Sequence, residues 1–127
     1  MRKTWKCVRA ESVGCNADLA WAAGFFDGEG STSVLKAQRD KFWYIRMSIS
    51  QKLPECLERF QSIVGVGRIY KAKTREIHSW DCYKQEDVIL VLHKLWPYLT
   101  RHKKDQALKA IQSVNENTKK EINFDVR

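Results

Sequence analysis

Two carboxylates stand close together in Asp27-Gly28-Glu29-Gly30, within a chain whose overall balance is strongly basic. Residues 10–35 hold four acidic and no basic side chains, whereas residues 36–84 carry eleven basic against five acidic ones. The 127-residue chain has 23 Lys and Arg against 15 Asp and Glu, a net charge of +8. Such a surplus favours a polyanionic partner, most often nucleic acid. An acidic stretch inside it needs its own explanation, because a purely electrostatic polyanion binder gains nothing from one. Asp27 and Glu29 are two residues apart and so lie on different sides of a helix end. By spacing alone, Glu29 reads as a solvated acid beside a helix-ending glycine. Zinc chemistry is not indicated: Cys7, Cys15, Cys56 and Cys82 contain no C-x-x-C pair, and His78, His93 and His102 give no ligand spacing with them. The cysteines read as buried or incidental thiols, since a disulfide framework needs an oxidising compartment.

The other hydrogen-bonding groups lie on strands. Ile45, Met47 and Ile49 alternate with Tyr44, Arg46, Ser48 and Ser50, the period of a half-buried strand. Residues 31–38 form its hairpin partner, with the turn over 38–42. A second hairpin pairs residues 68–73 with 78–83. The non-core faces of the two hairpins carry Tyr44, Arg46, Ser48, Arg68, Tyr70, Ser79, Asp81 and Tyr83. A polar sheet face is ordinarily just a solvated one. This face mixes donors with acceptors, as base edges require, whereas phosphates need only positive charge.

Helices must position these groups. Asn16 or Asp18 can cap a helix over residues 16–30, and Gly28 or Gly30 can end it with a positive φ. Ala20, Gly24 and Gly28 stack in one line of that helix beside Trp21 and Phe25, and small residues at this spacing allow another helix backbone to approach closely. Leu53, Leu57, Phe60 and Val64 predict an amphipathic helix over 53–64, with Pro54 in its first turn and Gly65-Val66-Gly67 ending it. An apolar helix over 86–98 and a more polar one over 105–117 complete the order αββαββαα, an α+β class. The length fits one domain and the 43% apolar share excludes disorder. We expect a basic N-terminal extension over 1–15, a folded domain over 16–118 and a loose tail over 119–127. No run approaches the ~18 apolar residues of a membrane span. The basic start has no apolar stretch behind it, so no secretory leader and an intracellular setting are expected.

Ala22-Ala23-Gly24-Phe25-Phe26-Asp27-Gly28-Glu29-Gly30 resembles the nine-residue signature of the LAGLIDADG homing endonucleases, in a variant ending Asp-Gly-Glu-Gly. Three further stretches resemble landmarks of that family in the right order. Ser48-Ile49-Ser50-Gln51-Lys52 is similar to the end of its second strand, and Ile63-Val64-Gly65-Val66-Gly67 to its helix-to-strand junction. Trp96-Pro97-Tyr98-Leu99, followed by Lys103-Lys104-Asp105-Gln106-Ala107, is similar to its late helix-loop-helix. Most of residues 17–112 is covered.

The resemblance implies a saddle-shaped, four-stranded antiparallel sheet with helices on one face. It implies a site-specific, intron-encoded type of nuclease that cuts double-stranded DNA and leaves 3′ overhangs. A single motif implies a homodimer on a long, near-palindromic site, with Ala20, Trp21, Gly24, Phe25 and Gly28 at the interface. Glu29 becomes the metal-binding acid, with the Gly28 carbonyl as a further ligand. Such oxygen donors suit Mg²⁺, for which Mn²⁺ can substitute. Gln51 matches a position that orders water around the metal. Lys103 matches a lysine facing the scissile phosphate, with Lys104 and, more remotely, His102 as alternatives. Asp27 becomes a hydrogen-bonding residue of the helix end or interface. Where some relatives have a basic residue just after Gln51, this chain has Lys52 and then Leu53-Pro54-Glu55. Implied DNA contacts are Ser33, Leu35, Arg39, Tyr44, Arg46, Ser48, Arg68, Tyr70, Ser79, Asp81 and Tyr83. Arg2, Lys3, Lys6 and Arg9 precede the matched core; they can contact phosphates flanking the site, although a charged terminus is more often merely mobile. The alternative from another class is a non-catalytic binder on the same fold, an intron maturase or DNA-binding regulator.

Overall fold

The computed structural model describes residues 16–39, 42–118 and 122–124. The N-terminal extension, with Cys7 and Cys15, lies outside the described residues, as does most of the expected tail. The elements are α1 (Asn16–Glu29), β1 (Gly30–Lys36), β2 (Trp43–Gln51), α2 (Glu55–Val64), β3 (Arg68–Lys71), β4 (His78–Cys82), α3 (Gln85–Leu95) and α4 (Arg101–Asn117). A 3-10 turn at Trp96–Tyr98 joins the last two helices. The strands form one antiparallel sheet in the order β1-β2-β4-β3. This is the expected α+β order. No helix among the described residues is long and apolar enough to cross a membrane.

Strand alternation decides which face is dry. Ile45, Met47 and Ile49 of β2 and Trp80 and Cys82 of β4 are buried beneath the helices. The helices contribute Phe26, Leu57, Phe60, Val64, Val88, Leu92, Leu95, Ala107, Ile111 and Val114 to the same cluster. Each fully buried large apolar side chain stabilises the fold by about 1.5–3 kcal/mol relative to leaving it exposed. Phe60 is central, with its ring 6.3 Å from that of Phe26 and 4.8 Å, edge-on, from that of Trp80. The Trp80 indole N–H donates to the Val66 carbonyl at 3.0 Å, so the largest core residue leaves no buried donor unpaired.

The helix boundaries differ from those read in the sequence, each for a local reason. α1 does not end in a left-handed glycine. Among the described glycines only Gly65 and Gly67 have positive φ, and Gly65, at φ 81°, caps α2 by donating to the Gln61 carbonyl at 2.7 Å. The chain instead runs from α1 straight into β1. Gly30 is required there because a Cβ would enter the Phe26 ring. Leu53 is 69% exposed and outside α2, since a residue preceding proline is disfavoured in helical geometry. The apolar helix stops at Leu95 and tightens into the 3-10 turn around Pro97, which has no N–H to continue it. α4 begins four residues earlier than its apolar pattern suggests: the basic run 101–104 forms its first turn. The tail is not loose at residues 122–124. Asn115 accepts from the Ile122 N–H at 2.7 Å and donates to its carbonyl at 3.1 Å. The Phe124 ring lies 4.6 Å from His93 and 4.9 Å from Trp96.

Candidate functional site

The register of β1 on β2 pairs Gly30 with Ile49, which brings the end of α1 beside the end of β2. Glu29, exposed, and Gln51, half-buried, meet there. The Gln51 amide donates to Glu29 Oε1 at 2.7 Å and to its neighbour's Ser50 carbonyl at 2.9 Å. The α4 first turn closes the third side. The Lys103 ammonium donates to the Gly30 carbonyl at 2.6 Å and lies 5.9 Å from the centre of the Phe26 ring. Lys104 turns the other way, over the Trp96 ring at 5.6 Å. Of the two lysines, Lys103 is therefore the one bonded at the α1–β1 junction, one residue past Glu29. His102 is exposed on the same turn.

Asp27 is turned away from this cluster. Its carboxylate accepts the Thr100 N–H at 3.1 and 3.2 Å and the Thr100 hydroxyl at 3.1 Å. It is thus a helix-end hydrogen bonder, on the N-terminal turn of another helix. Among the described residues no three His, Cys, Asp or Glu side chains converge. One chain offers a single carboxylate, Glu29, with the Gly28 carbonyl and the Gln51 amide close in sequence or space. These are hard oxygen donors. They suit a cation such as Mg²⁺, which takes one or two carboxylates and completes its shell with waters and phosphate oxygens.

The uncovered sheet face extends from this corner. Ser31 pairs with Ser48, which pairs with Asp81, which pairs with Arg68; Ser50 pairs with Ser79 and Ser79 with Tyr70. Ser33 faces Arg46, and Leu35 faces Tyr44. The residues expected on this face from within the strands therefore lie there; β4 ends at Cys82, so Tyr83 is exposed one residue past it, and Arg39 is exposed just beyond β1. Ser31 and Ser50 share the face and were missing from the expected contacts, although the alternation that selects Ser33 and Ser48 also selects them. Ser50 and Ser79 hydroxyls bond at 3.0 Å. Arg46 is half-buried at the centre of the face, and its Nε has no hydrogen-bond partner among the described residues.

Asp81 differs from its expected role as an exposed contact. It is 4% exposed and accepts from Arg68 Nε at 3.1 Å. The hydrogen bond and charge of Asp81 push the Arg68 guanidinium further above its ordinary range. The guanidinium lies 4.8 Å from the Tyr70 ring and 5.8 Å from that of Tyr83. Asp81 thus orients Arg68, while Arg68 faces solvent.

On α1, Ala22, Ala23 and Phe26 face the core, and Ala20, Gly24 and Gly28 are exposed. A Cβ at Gly24 or Gly28 would meet nothing within 4 Å. Neither glycine is required by packing within the described chain, yet a mid-helix glycine costs about 1 kcal/mol. Trp21 and Phe25 are half-buried. Their rings stack at 5.1 Å, with the Arg59 guanidinium 4.1 Å from Trp21 and the Phe60 ring 6.0 Å from Phe25.

The open four-stranded antiparallel sheet with its helices matches the fold of solved homing endonucleases. The solved homing endonuclease I-CvuI, in complex with I-CreI target, matches with a TM-score of 0.65 and 21% identity over 79% of this chain and 67% of its own. The archaeal intron-encoded homing endonuclease I-Vdi141I, complexed with DNA, matches with a TM-score of 0.60 and 21% identity over 87% of this chain and 91% of its own. The meganuclease I-CpaMI, bound to uncleaved DNA, matches at 0.59 and 22% identity, over 80% of this chain and 39% of its own. No curated protein sequence matches significantly. The LAGLIDADG endonuclease family profile matches residues 22–123. The chain belongs to the LAGLIDADG endonuclease family.

Proposed function

We propose that this chain is a site-specific, Mg²⁺-dependent endonuclease that cuts both strands of a long, near-palindromic DNA duplex as a homodimer and leaves 3′ overhangs. The carrying observation is the 2.7 Å contact between Gln51 and Glu29 at one corner of an uncovered, arginine-bearing sheet face, with Lys103 held one residue away. The DNA-bound relatives and the family's name support the same reading. Strand residues Ser33, Leu35, Tyr44, Arg46, Ser48, Arg68, Tyr70 and Ser79 face the groove, with Tyr83 just past β4 and Arg39 just past β1.

Glu29 and the Gly28 carbonyl hold the divalent metal, with Mn²⁺ able to replace Mg²⁺. When bound, that ion supplies Lewis acidity toward a phosphate oxygen and lowers the pKa of a bound water. Gln51 holds one oxygen of Glu29 and so sets how the carboxylate faces the phosphate. Lys103 supplies a fixed positive charge where the phosphoryl group gains negative charge in the transition state. One chain carries one such corner, so cutting two strands requires two copies. The exposed line Ala20, Gly24 and Gly28 on α1 offers the close approach that would set the two corners side by side.

The test is cleavage of a randomised duplex library in Mg²⁺ or Mn²⁺, followed by Glu29→Gln on the selected site. We expect symmetric sites, 3′ overhangs, and loss of cleavage in Glu29→Gln with binding largely kept. Undiminished cleavage by that variant sinks the assignment of Glu29. Tight binding without scission in either metal supports a non-catalytic binder on this fold instead.

A further inference from the structure

Asp27 belongs to the acidic motif but makes no hydrogen bond or ion pair with Glu29, Gln51 or Lys103. Its three hydrogen bonds all go to Thr100, the residue that precedes α4. Two more links follow one another along the same helix. Lys103 donates to the Gly30 carbonyl at 2.6 Å, and Gln106 accepts from the Thr32 N–H at 3.2 Å. Thr100, Lys103 and Gln106 are spaced by three and lie along one face of α4. Asp27, Gly30 and Thr32 follow the chain as it leaves α1 for β1. Glu29 sits between the first link and the second.

The first link anchors the helix end from which Lys103 projects. A helix start commonly has its N-cap N–H bonded by an acidic or amide side chain three residues on. Here that third position is Lys103, which cannot accept. Asp27, 73 residues away, accepts the Thr100 N–H in its place, and its negative charge suits the N-terminal end of the α4 dipole. The Thr100 hydroxyl also donates to Asp27 rather than capping its own helix. We propose that Asp27 is a positioning residue: it pins the N-terminus of α4 to the end of α1 and thereby holds the Lys103 ammonium beside Glu29. This rests on the nuclease reading only for the role of Lys103.

The test severs the link from each side. Asp27→Ala removes the acceptor. Thr100→Pro removes both donors, and the backbone at Thr100, φ −72° and ψ 161°, with Leu99 extended before it, already suits proline. Circular dichroism melts establish that each variant folds. In single-turnover cleavage, both variants should lose about 10- to 100-fold in rate, the scale of a ~1 Å misplacement of a catalytic group. DNA affinity should stay within about twofold, and Asp27→Asn, which keeps one acceptor, should recover part of the rate. In a Lys103→Ala background, Asp27→Ala should cause no further loss. An unchanged rate in the single variants, or the same fractional loss with and without Lys103, overturns the proposal, because a purely structural cap acts independently of Lys103.

Amine acylation followed by mass spectrometry reads the same point without cleavage. Lys103 should label slowly in the wild type and several-fold faster in both variants, with exposed Lys109 on the same helix unchanged. Unaltered Lys103 protection in both variants overturns the proposal. If the wild type cuts no duplex, the nuclease reading falls and the labelling result alone decides the role of Asp27.

Discussion

Gly24→Ala should stabilise the isolated subunit and weaken its dimer, two effects of opposite sign from one methyl group. Gly24 lies inside α1, is exposed, and an added Cβ would meet nothing within 4 Å in the subunit. Alanine therefore recovers the helix propensity that glycine forfeits, about 1 kcal/mol. That gain is common to the free subunit and the assembled one, so it cancels from the dimer dissociation constant. The interface sees only the methyl. In a two-fold assembly the substitution appears twice, and overpacking of a close helix contact costs about 1–3 kcal/mol at each site. The smallest total, about 2 kcal/mol, raises the dimer Kd about thirtyfold. Sedimentation equilibrium over a concentration series measures Kd, and a melt at concentrations below it measures the subunit. A wild type that stays monomeric, or a Gly24→Ala dimer as tight as the wild type with a raised Tm, refutes the claim that α1 uses its glycines for close approach.

Gly30→Ala acts in the opposite direction within one chain, because its Cβ enters the Phe26 ring; chemical denaturation should show a loss of about 1–3 kcal/mol. Asp81→Asn should release Arg68 from its place beside Tyr70 and Tyr83. A library selection should then show relaxed preference at one base-pair position per half-site, with the salt dependence of binding little changed. Cys82 supplies a pH signature. Burial, with the charges of Asp87 and then Asp81 nearby, pushes its thiol up to about 12 from an ordinary value of 9.0. The folded state then binds more protons than the unfolded state between those values. This contribution is fully present below pH 9 and is lost as pH rises toward 12, at up to about 1.4 kcal/mol per pH unit. Urea denaturation at pH 8 and pH 10 should show a smaller alkaline loss in Cys82→Ala than in the wild type; equal losses would contradict the burial argument.

Much of the corner around Glu29 was legible in the chain because its parts are local. The alternation of Ile45, Met47 and Ile49 with Tyr44, Arg46 and Ser48 assigns the faces of β2 without any knowledge of its neighbours. The αββαββαα order follows from such periods and from the turn signals at Gly65 and Gly67. The boundaries were less legible where a local rule competed with the apolar pattern. Leu53 has the helical spacing but stands before a proline. Residues 101–104 are a basic run at a helix start, which the dipole disfavours, so nothing in their sequence marks them as the first turn of α4. Asp81 alternates outward, yet Arg68 covers it, and alternation carries no information about what a neighbouring side chain does.

By itself, the sequence determined the faces of the strands, the acidic motif inside a basic chain, and the family to which that motif belongs. Those are properties of residues within a few positions of one another, set by backbone period and side-chain chemistry. Only the tertiary structure decided which groups meet. The pairing of Gly30 with Ile49 sets Gln51 against Glu29, and the seat of α4 on the α1–β1 junction brings Lys103, and not Lys104, to the Gly30 carbonyl and gives Asp27 to Thr100. Such contacts join residues 22 and 73 positions apart. They depend on strand register and helix rotation, where a shift of one residue turns a side chain to another face. Core packing sets both, through contacts such as those of Phe60 with Phe26 and Trp80.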